Sequence, residues 1–200
     1  MLNFISDRND LNNAELIVWD AGGRAAPTTI NDTNCVYEIS DAVKAKVSHI
    51  KFTAQNKSRH VLIRADQVNG DWEGGNFHDD DRLLFTDNLS VKDGPITIEF
   101  VGGDLVTPAP VSAVAVQIQT FTDGDFTGVI RVVDTSGVIF ERRRLGSSNS
   151  NRDNSAICLG AMSDATDIVR IELLTTNIVT DGHARFDKRG FAINQLSVTL

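Results

Sequence analysis

The segment SAVAVQIQTFTDGDFTGVIRVVDTSG, residues 112–137, constrains this chain more than any other feature. In AVAVQIQT, Val114, Val116 and Ile118 share one face while Gln117 and Gln119 point the other way. In GVIRVVD, Val129 and Val133 flank Arg131 on one face, and Ile130 and Val132 occupy the other. That period of two is the mark of a half-buried strand. IVRIELLTT repeats it, with Val169, Ile171 and Leu173 alternating with Arg170 and Glu172. AELIVWDA, NCVYEI, SHIKFTAQ, HVLIRAD, RLLFTDN, ITIEFVGG, VIFERRR, SAICLGAM and the terminal GFAINQLSVTL read as further strands. Between them lie TDGD, DTSG and GSSNSNRDNS, all strong turn chemistry. DTSG, at 134–137, predicts a hairpin. In TDGD, Asp123-Gly124 supplies the positive-φ pair of a second tight hairpin, with Phe126 resuming the strand.

Roughly ten to twelve short antiparallel strands, with turns every 8–12 residues or so, predict an all-β fold, a single β-sandwich over 1–200. Helix is limited to one short turn in SDAVKAKV (40–47), where Ser40 is placed to cap. GGDLVTPAPVS (102–112) carries Pro108 and Pro110, which break a strand. Each half of the chain alone has too few strands for a sizeable core. The segment is therefore read as a loop crossing between sheets and not as a linker between domains.

The chain has 200 residues, 41% of them hydrophobic, enough for one real core. A net charge of −8 argues against nucleic acid as a partner, because the phosphate backbone repels an acidic surface. Asp outnumbers Glu, which suits turns and caps and leaves calcium open. No run reaches the ~18 apolar residues of a membrane span, so no membrane insertion is expected. The start, MLNFISDRND, lacks a basic stretch followed by an apolar one, so no signal peptide is visible. Cys35 and Cys158 sit in apolar contexts and read as buried free thiols, with a single disulfide as the alternative. Their spacing does not suit zinc.

PVSAVAVQIQ (110–119), FTDGDFTGVIRVVDTSG (121–137), GSSNSNRDNSAICLG (146–160) and FAINQLSV (191–198) occur in an order that resembles a known family. It is the β-jelly-roll module of cyanobacterial and other bacterial secreted or surface proteins, some of them carrying a PEP-CTERM sorting tail. DRLLFTDNLSVKDGPITIEF (81–100) fits the same pattern, so the likeness covers roughly the C-terminal 60% of the chain. The resemblance implies a sandwich of jelly-roll type, an extracellular or cell-surface location and no established catalytic activity. A cytoplasmic location is the alternative that the visible start of the chain leaves. Architecture follows from such a likeness more readily than function does.

GDWEGGNFHDDDRLLFTDN (70–88) is the densest cluster of polar chemistry. Asp79, Asp80 and Asp81 repel one another unless a cation or basic groups neutralise them, and calcium accepts such loose oxygen ligands. Asp123 and Asp125 would contribute if another loop joined them. The alternative is a solvated turn in which Arg82 offsets part of the charge; zinc through His78 is a third reading. Trp72 and Phe77, beside Asp71, Glu73 and Asn76, have the make-up of a carbohydrate site, rings stacking on sugar faces and polar groups on hydroxyls. Asn149 and Asn151, in the amide-rich loop 146–156, are further ligand candidates. Each aromatic has a plain alternative as a core anchor, and Trp19 in LIVWD reads as core. ERRR (141–144) reads as cross-strand pairing with acids before phosphate binding.

No nucleophile elbow, phosphate loop or zinc-protease motif is present. The leading expectation is a non-catalytic, lectin-like carbohydrate-binding module, with calcium as a stabilising cofactor. The alternative is a structural protein, a jelly roll that self-associates into a homo-oligomer, filament, layer or shell. A polysaccharide-active hydrolase comes third.

Overall fold

The structure, a computed structural model, describes residues 1–11, 13–19, 28–30, 36–52, 57–59, 62–66, 76–78, 81–86, 93–121, 123–149, 154–177 and 190–200. Among them the chain forms β1 (Leu2–Ile5), a 3-10 turn (Arg8–Asp10), β2 (Glu15–Ile17), β3 (Thr28–Ile30), β4 (Val36–Glu38) and β5 (Lys44–Phe52). Then come β6 (Lys57–Arg59), β7 (Leu62–Asp66), β8 (Arg82–Thr86), β9 (Asp93–Val101), β10 (Ala113–Thr120) and β11 (Gly124–Asp134). β12 (Ile139–Ser148), β13 (Ile157–Ser163), β14 (Ile168–Asn177), β15 (Phe191–Ile193) and β16 (Leu196–Thr199) complete the order. The all-β expectation holds. The strands outnumber the ten to twelve expected because several three-residue strands, such as β3 and β6, are too short to show a period.

β8 to β15 form one long antiparallel ribbon folded back on itself. β8 pairs with β15, β9 with β14, β10 with β13 and β11 with β12. Successive pairs fall alternately into two sheets, and β10–β15 and β11–β14 contacts complete each one. This winding is the jelly roll. The earlier strands widen it: β1 adds to β13, β2 to β16, and β7 with β3 to β8, while β5, β4 and β6 extend the other sheet beyond β9. The loop after Val101 crosses from one sheet to the other, as Pro108 and Pro110 suggested. Asp104 closes it, accepting from the amides of Val106 and Thr107 and from the Thr107 hydroxyl, which hold its carboxyl down at about 2.

The alternation in the sequence becomes the core. Val114, Val116 and Ile118 of β10, Ile130 and Val132 of β11, Ile96 and Ile98 of β9, and Ile171 and Leu173 of β14 meet in one continuous buried cluster. Trp19 is fully buried in it and stacks edge-on against Tyr37, with ring centres 5.1 Å apart. On the solvent side of the β9 sheet, charges pair across and along strands. Arg131 of β11 meets Glu141 of β12 and Glu172 of β14, while Arg143 meets Glu141 and Arg170 meets Glu172 within their own strands. Among the described residues, only Arg143 of the β12 arginines pairs with an acid, along its own strand, whereas Arg144 donates to the Ser6 and Cys158 carbonyls. The cross-strand partner in this segment is Glu141 itself, which meets Arg131 of β11.

Three local expectations need correction. TDGD is not a hairpin but a change of sheet: β10 already has β13 on one side and β15 and β16 on the other, and β11 is likewise enclosed by β12 and β14. With both edges of each strand occupied, the two cannot pair, and Gly124 at φ 123 turns the chain across the sandwich. DTSG does form the β11–β12 hairpin, closed by the Asp134 amide on Val138 and by Gly137 at φ 81. Residues 40–47 carry no helical turn. The Ser40 hydroxyl accepts from the Ala42 and Val43 amides in a tight bend, and β5 starts at Lys44. The terminal run splits into β15 and β16, because one extra residue enters opposite β10: Ile118 faces Ile193, but Ala115 faces Ser197.

β13 carries Gly160 where β1 and β10 close in from both sides. A Cβ there would lie 2.6 Å from the Ile5 side chain and 2.6 Å from the Val114 carbonyl. Gly160→Ala is expected to destabilise the fold by about 1–3 kcal/mol, lowering the melting midpoint by roughly 2–4 °C per kcal/mol. Gly103→Ala, with nothing within 4 Å, should leave a thermal melt unchanged.

Candidate functional site

The solvent side of the β10 sheet is not bare. Gln117 and Gln119, projecting away from the core, are covered by the loop at 76–78 and the loop ending at 156. These two loops, both singled out in the sequence, converge. The Asn76 carboxamide oxygen accepts from the Asn149 amide (2.7 Å) and from the Gln119 side chain, and its amide group donates to Ser155 Oγ (2.7 Å). The Asn76 carbonyl accepts from the Ala156 amide (3.0 Å). Gln119 also donates to Ser148 Oγ, which in turn donates to the Thr120 carbonyl. Phe77 is fully buried with Leu83, Ala156 and Ala192, a small second core on the outside of the sheet.

Asn76, Phe77 and Asn149 therefore come together, but as fasteners. Asn76 and Phe77 are 0% exposed, so Phe77 has no ring face free for a sugar, contrary to its reading as a stacking residue. Asp81 is buried as well, its Oδ2 accepting from Asn194 Nδ2 (3.0 Å) and the His78 amide (3.1 Å). Asp123 and Asp125 are exposed at the sheet change. Among the described residues no three His, Cys, Asp or Glu side chains form a metal-holding group. Trp72, Glu73, Asp79, Asp80 and Asn151 lie outside the described residues, as does Cys35.

The residue that organises this surface was not singled out in the sequence. Asn194 occupies the bulge between β15 and β16, fully buried. Its Oδ1 accepts from the Gln117 backbone amide (2.9 Å), replacing the ladder partner that the bulge removes, and from Arg8 Nη2 (2.7 Å). Its Nδ2 donates to Asp81 and to Gln117 Oε1, and its carbonyl accepts from Trp19 Nε1 (2.6 Å). Arg8 also donates to the Gln195 carbonyl. Burial pulls Arg8 down from the usual guanidinium range, and Cys158 and Asp81 oppose the shift. The one signal for this segment was the polar run SDRND at 6–10, in which Asp7 caps the 3-10 turn through the Asn9 amide.

Above this floor opens a cleft of about 410 Å³. Asp7, Arg8 and Asn9 form one wall, His78 and Asp81 another, and Asn154, Ser155 and Arg144 the rim over Gln117 and Cys158. Arg144 is held by the carbonyls of Ser6 (2.7 Å) and Cys158 (2.9 Å). The arrangement offers carboxylate, amide, hydroxyl, imidazole and guanidinium groups on one concave surface. Fold and cleft together define a jelly-roll sandwich with a polar ligand-sized recess on the outside of one sheet. No family model, no curated protein and no solved structure matches the chain.

Cys158 is a buried free thiol, and burial pushes its pKa up to about 11. The native thiol should resist alkylation at neutral pH and react on unfolding, as mapped by mass spectrometry. Its folded value lies above the ordinary 9.0, so the stabilisation is present below pH 9 and lost as pH rises toward 11. The stability difference between wild type and Cys158→Ala should fall by on the order of 2 kcal/mol across that window in urea titrations. Asn194→Ala strands several buried groups at once and is expected to cost about 3 kcal/mol or more by urea unfolding at neutral pH.

Proposed function

We propose that this chain is a non-catalytic binding module that takes a glycan in the cleft beside Asn194. The observation that carries the reading is the about 410 Å³ recess whose floor is locked before any ligand arrives. Sugar hydroxyls both donate and accept, so they are matched by mixed acids, amides and hydroxyls such as Asp7, Asn9, Asn154 and Ser155. A floor already ordered by Asn76, Gln119 and Asn194 spares the ligand the entropy of ordering it. The resemblance to bacterial surface modules supports the same reading and goes with an extracellular or cell-surface location.

Trp72 and Glu73 precede Asn76 by four and three residues, and Asn151 follows Asn149 by two. The proposal gives these three the ligand contacts, with Trp72 stacking on a sugar face, and leaves Asn76, Phe77 and Asn149 to hold the loops. A calcium ion at the acidic turn would draw its oxygens from Asp79 and Asp80, since Asp81 is engaged by Asn194 and His78. A second reading, a self-assembling jelly roll, is favoured by the edge of β12 that pairs with no second strand among the described residues.

Glycan-array screening of the full chain, with and without calcium, followed by calorimetry on any hit, tests the proposal. Trp72→Ala and the His78→Ala/Asn154→Ala pair should each weaken binding about tenfold or more, near 1.4 kcal/mol. No glycan bound, or binding untouched by both variants, overturns it.

A further inference from the structure

We propose that two copies of this chain pair through β12, edge to edge and antiparallel, about a two-fold axis at Arg142. The proposal is independent of the glycan cleft.

Among the described residues β12 pairs with β11 alone and forms the edge of its seven-stranded sheet. An antiparallel ladder assigns alternate residues to each side. Asp134 donates its amide to Val138, so the even-numbered residues Phe140, Arg142, Arg144 and Gly146 direct their backbone groups at β11. Ile139, Glu141, Arg143 and Leu145 direct theirs outward, at the open edge. Such a row of unpaired backbone groups is a template for another strand.

The side chains of those same four residues lie on the solvent face and are self-complementary. In chain order they read apolar, acid, base, apolar: Ile139, Glu141, Arg143, Leu145. Laid antiparallel against itself about Arg142, the strand sets Ile139 opposite the second copy's Leu145 and Glu141 opposite its Arg143. All four are hydrogen-bonded pairs by the parity above, so backbone register and side-chain register agree. Ile139 and Leu145 are 59% and 68% exposed, unusual for large aliphatic side chains, and this pairing covers both. Glu141 already holds Arg131 (2.8 Å) and Arg143 (2.7 Å) of its own chain, so the dimer extends an existing row of alternating charge across the axis.

One contact opposes the pairing. Arg142 faces its own copy across the axis, although its side chain lines the recess of about 250 Å³ beside Phe4 and Ile5. The two Glu141–Arg143 pairs outnumber this single like-charge contact, so salt should weaken the association modestly.

The test is sedimentation equilibrium of the full chain over a concentration series, with thermal melts to verify that each variant folds. Wild type should dimerise, less so at high salt. Arg143→Glu sets acid against acid, and Glu141→Arg sets base against base, so each alone should be monomeric. Mixed in equal amounts they should form a heterodimer, because every pair is then opposite in sign. Arg142→Cys should give a covalent dimer on oxidation while wild type does not. A monomer at millimolar concentration, dimerisation undiminished by Arg143→Glu, or a mixture of the two variants that stays monomeric overturns the proposal.

Discussion

Much of the outer architecture of the β10 sheet depends on a single buried carboxamide. Asn194 stands where the last run of strand slips by one residue, and the slip leaves the Gln117 amide without a backbone acceptor. Its side chain supplies that acceptor and then ties in Arg8 from the N-terminal turn and Asp81 from the acidic loop, while its backbone carbonyl accepts from Trp19 of the core. A carboxamide can do this because it accepts and donates at once. A carboxylate would repel Asp81, and an aliphatic side chain would strand the Gln117 amide, Arg8 and Asp81. Segments distant in sequence thus meet at one point, and the cleft is what remains open between them.

The two sheets handle their solvent sides differently. On the β9 sheet the outer face carries ion pairs across strands, Arg131 with Glu141 and Glu172 and Lys46 with Glu99, each worth little energy, that favour one strand register over its neighbours. On the β10 sheet the outer face is closed by loops, with Phe77 as the apolar anchor and Asn76 and Gln119 as the polar lock. A glutamine pair projecting from a strand would ordinarily be left to water. Here both are enclosed, and nearly every polar atom they carry is spoken for, which explains how a loop rich in Gly, Asn and Ser is held against the sheet. The cleft lies over β10, with Arg144 of β12 on its rim, and the side of β12 away from β11 pairs with no strand among the described residues.

Period-two patterning and turn chemistry, read alone, determined the all-β class, most strand positions, the DTSG hairpin and the sheet-crossing role of the proline loop. They did so because alternation and turn preference are local properties, written within a few residues of one another. The convergence of the 76–81 and 149–156 loops was foreshadowed only as two polar segments of the right composition. Tertiary structure alone decided that TDGD changes sheet, since this depends on which edges of β10 and β11 are already occupied. It also decided that Phe77 and Asn76 are buried fasteners, that Asp81 is tied to Asn194, and that Arg8 and Gln117 line the cleft in front of the buried Asn194. Burial and hydrogen-bond partners are set by residues up to 187 positions away in the chain, and no local pattern carries that information.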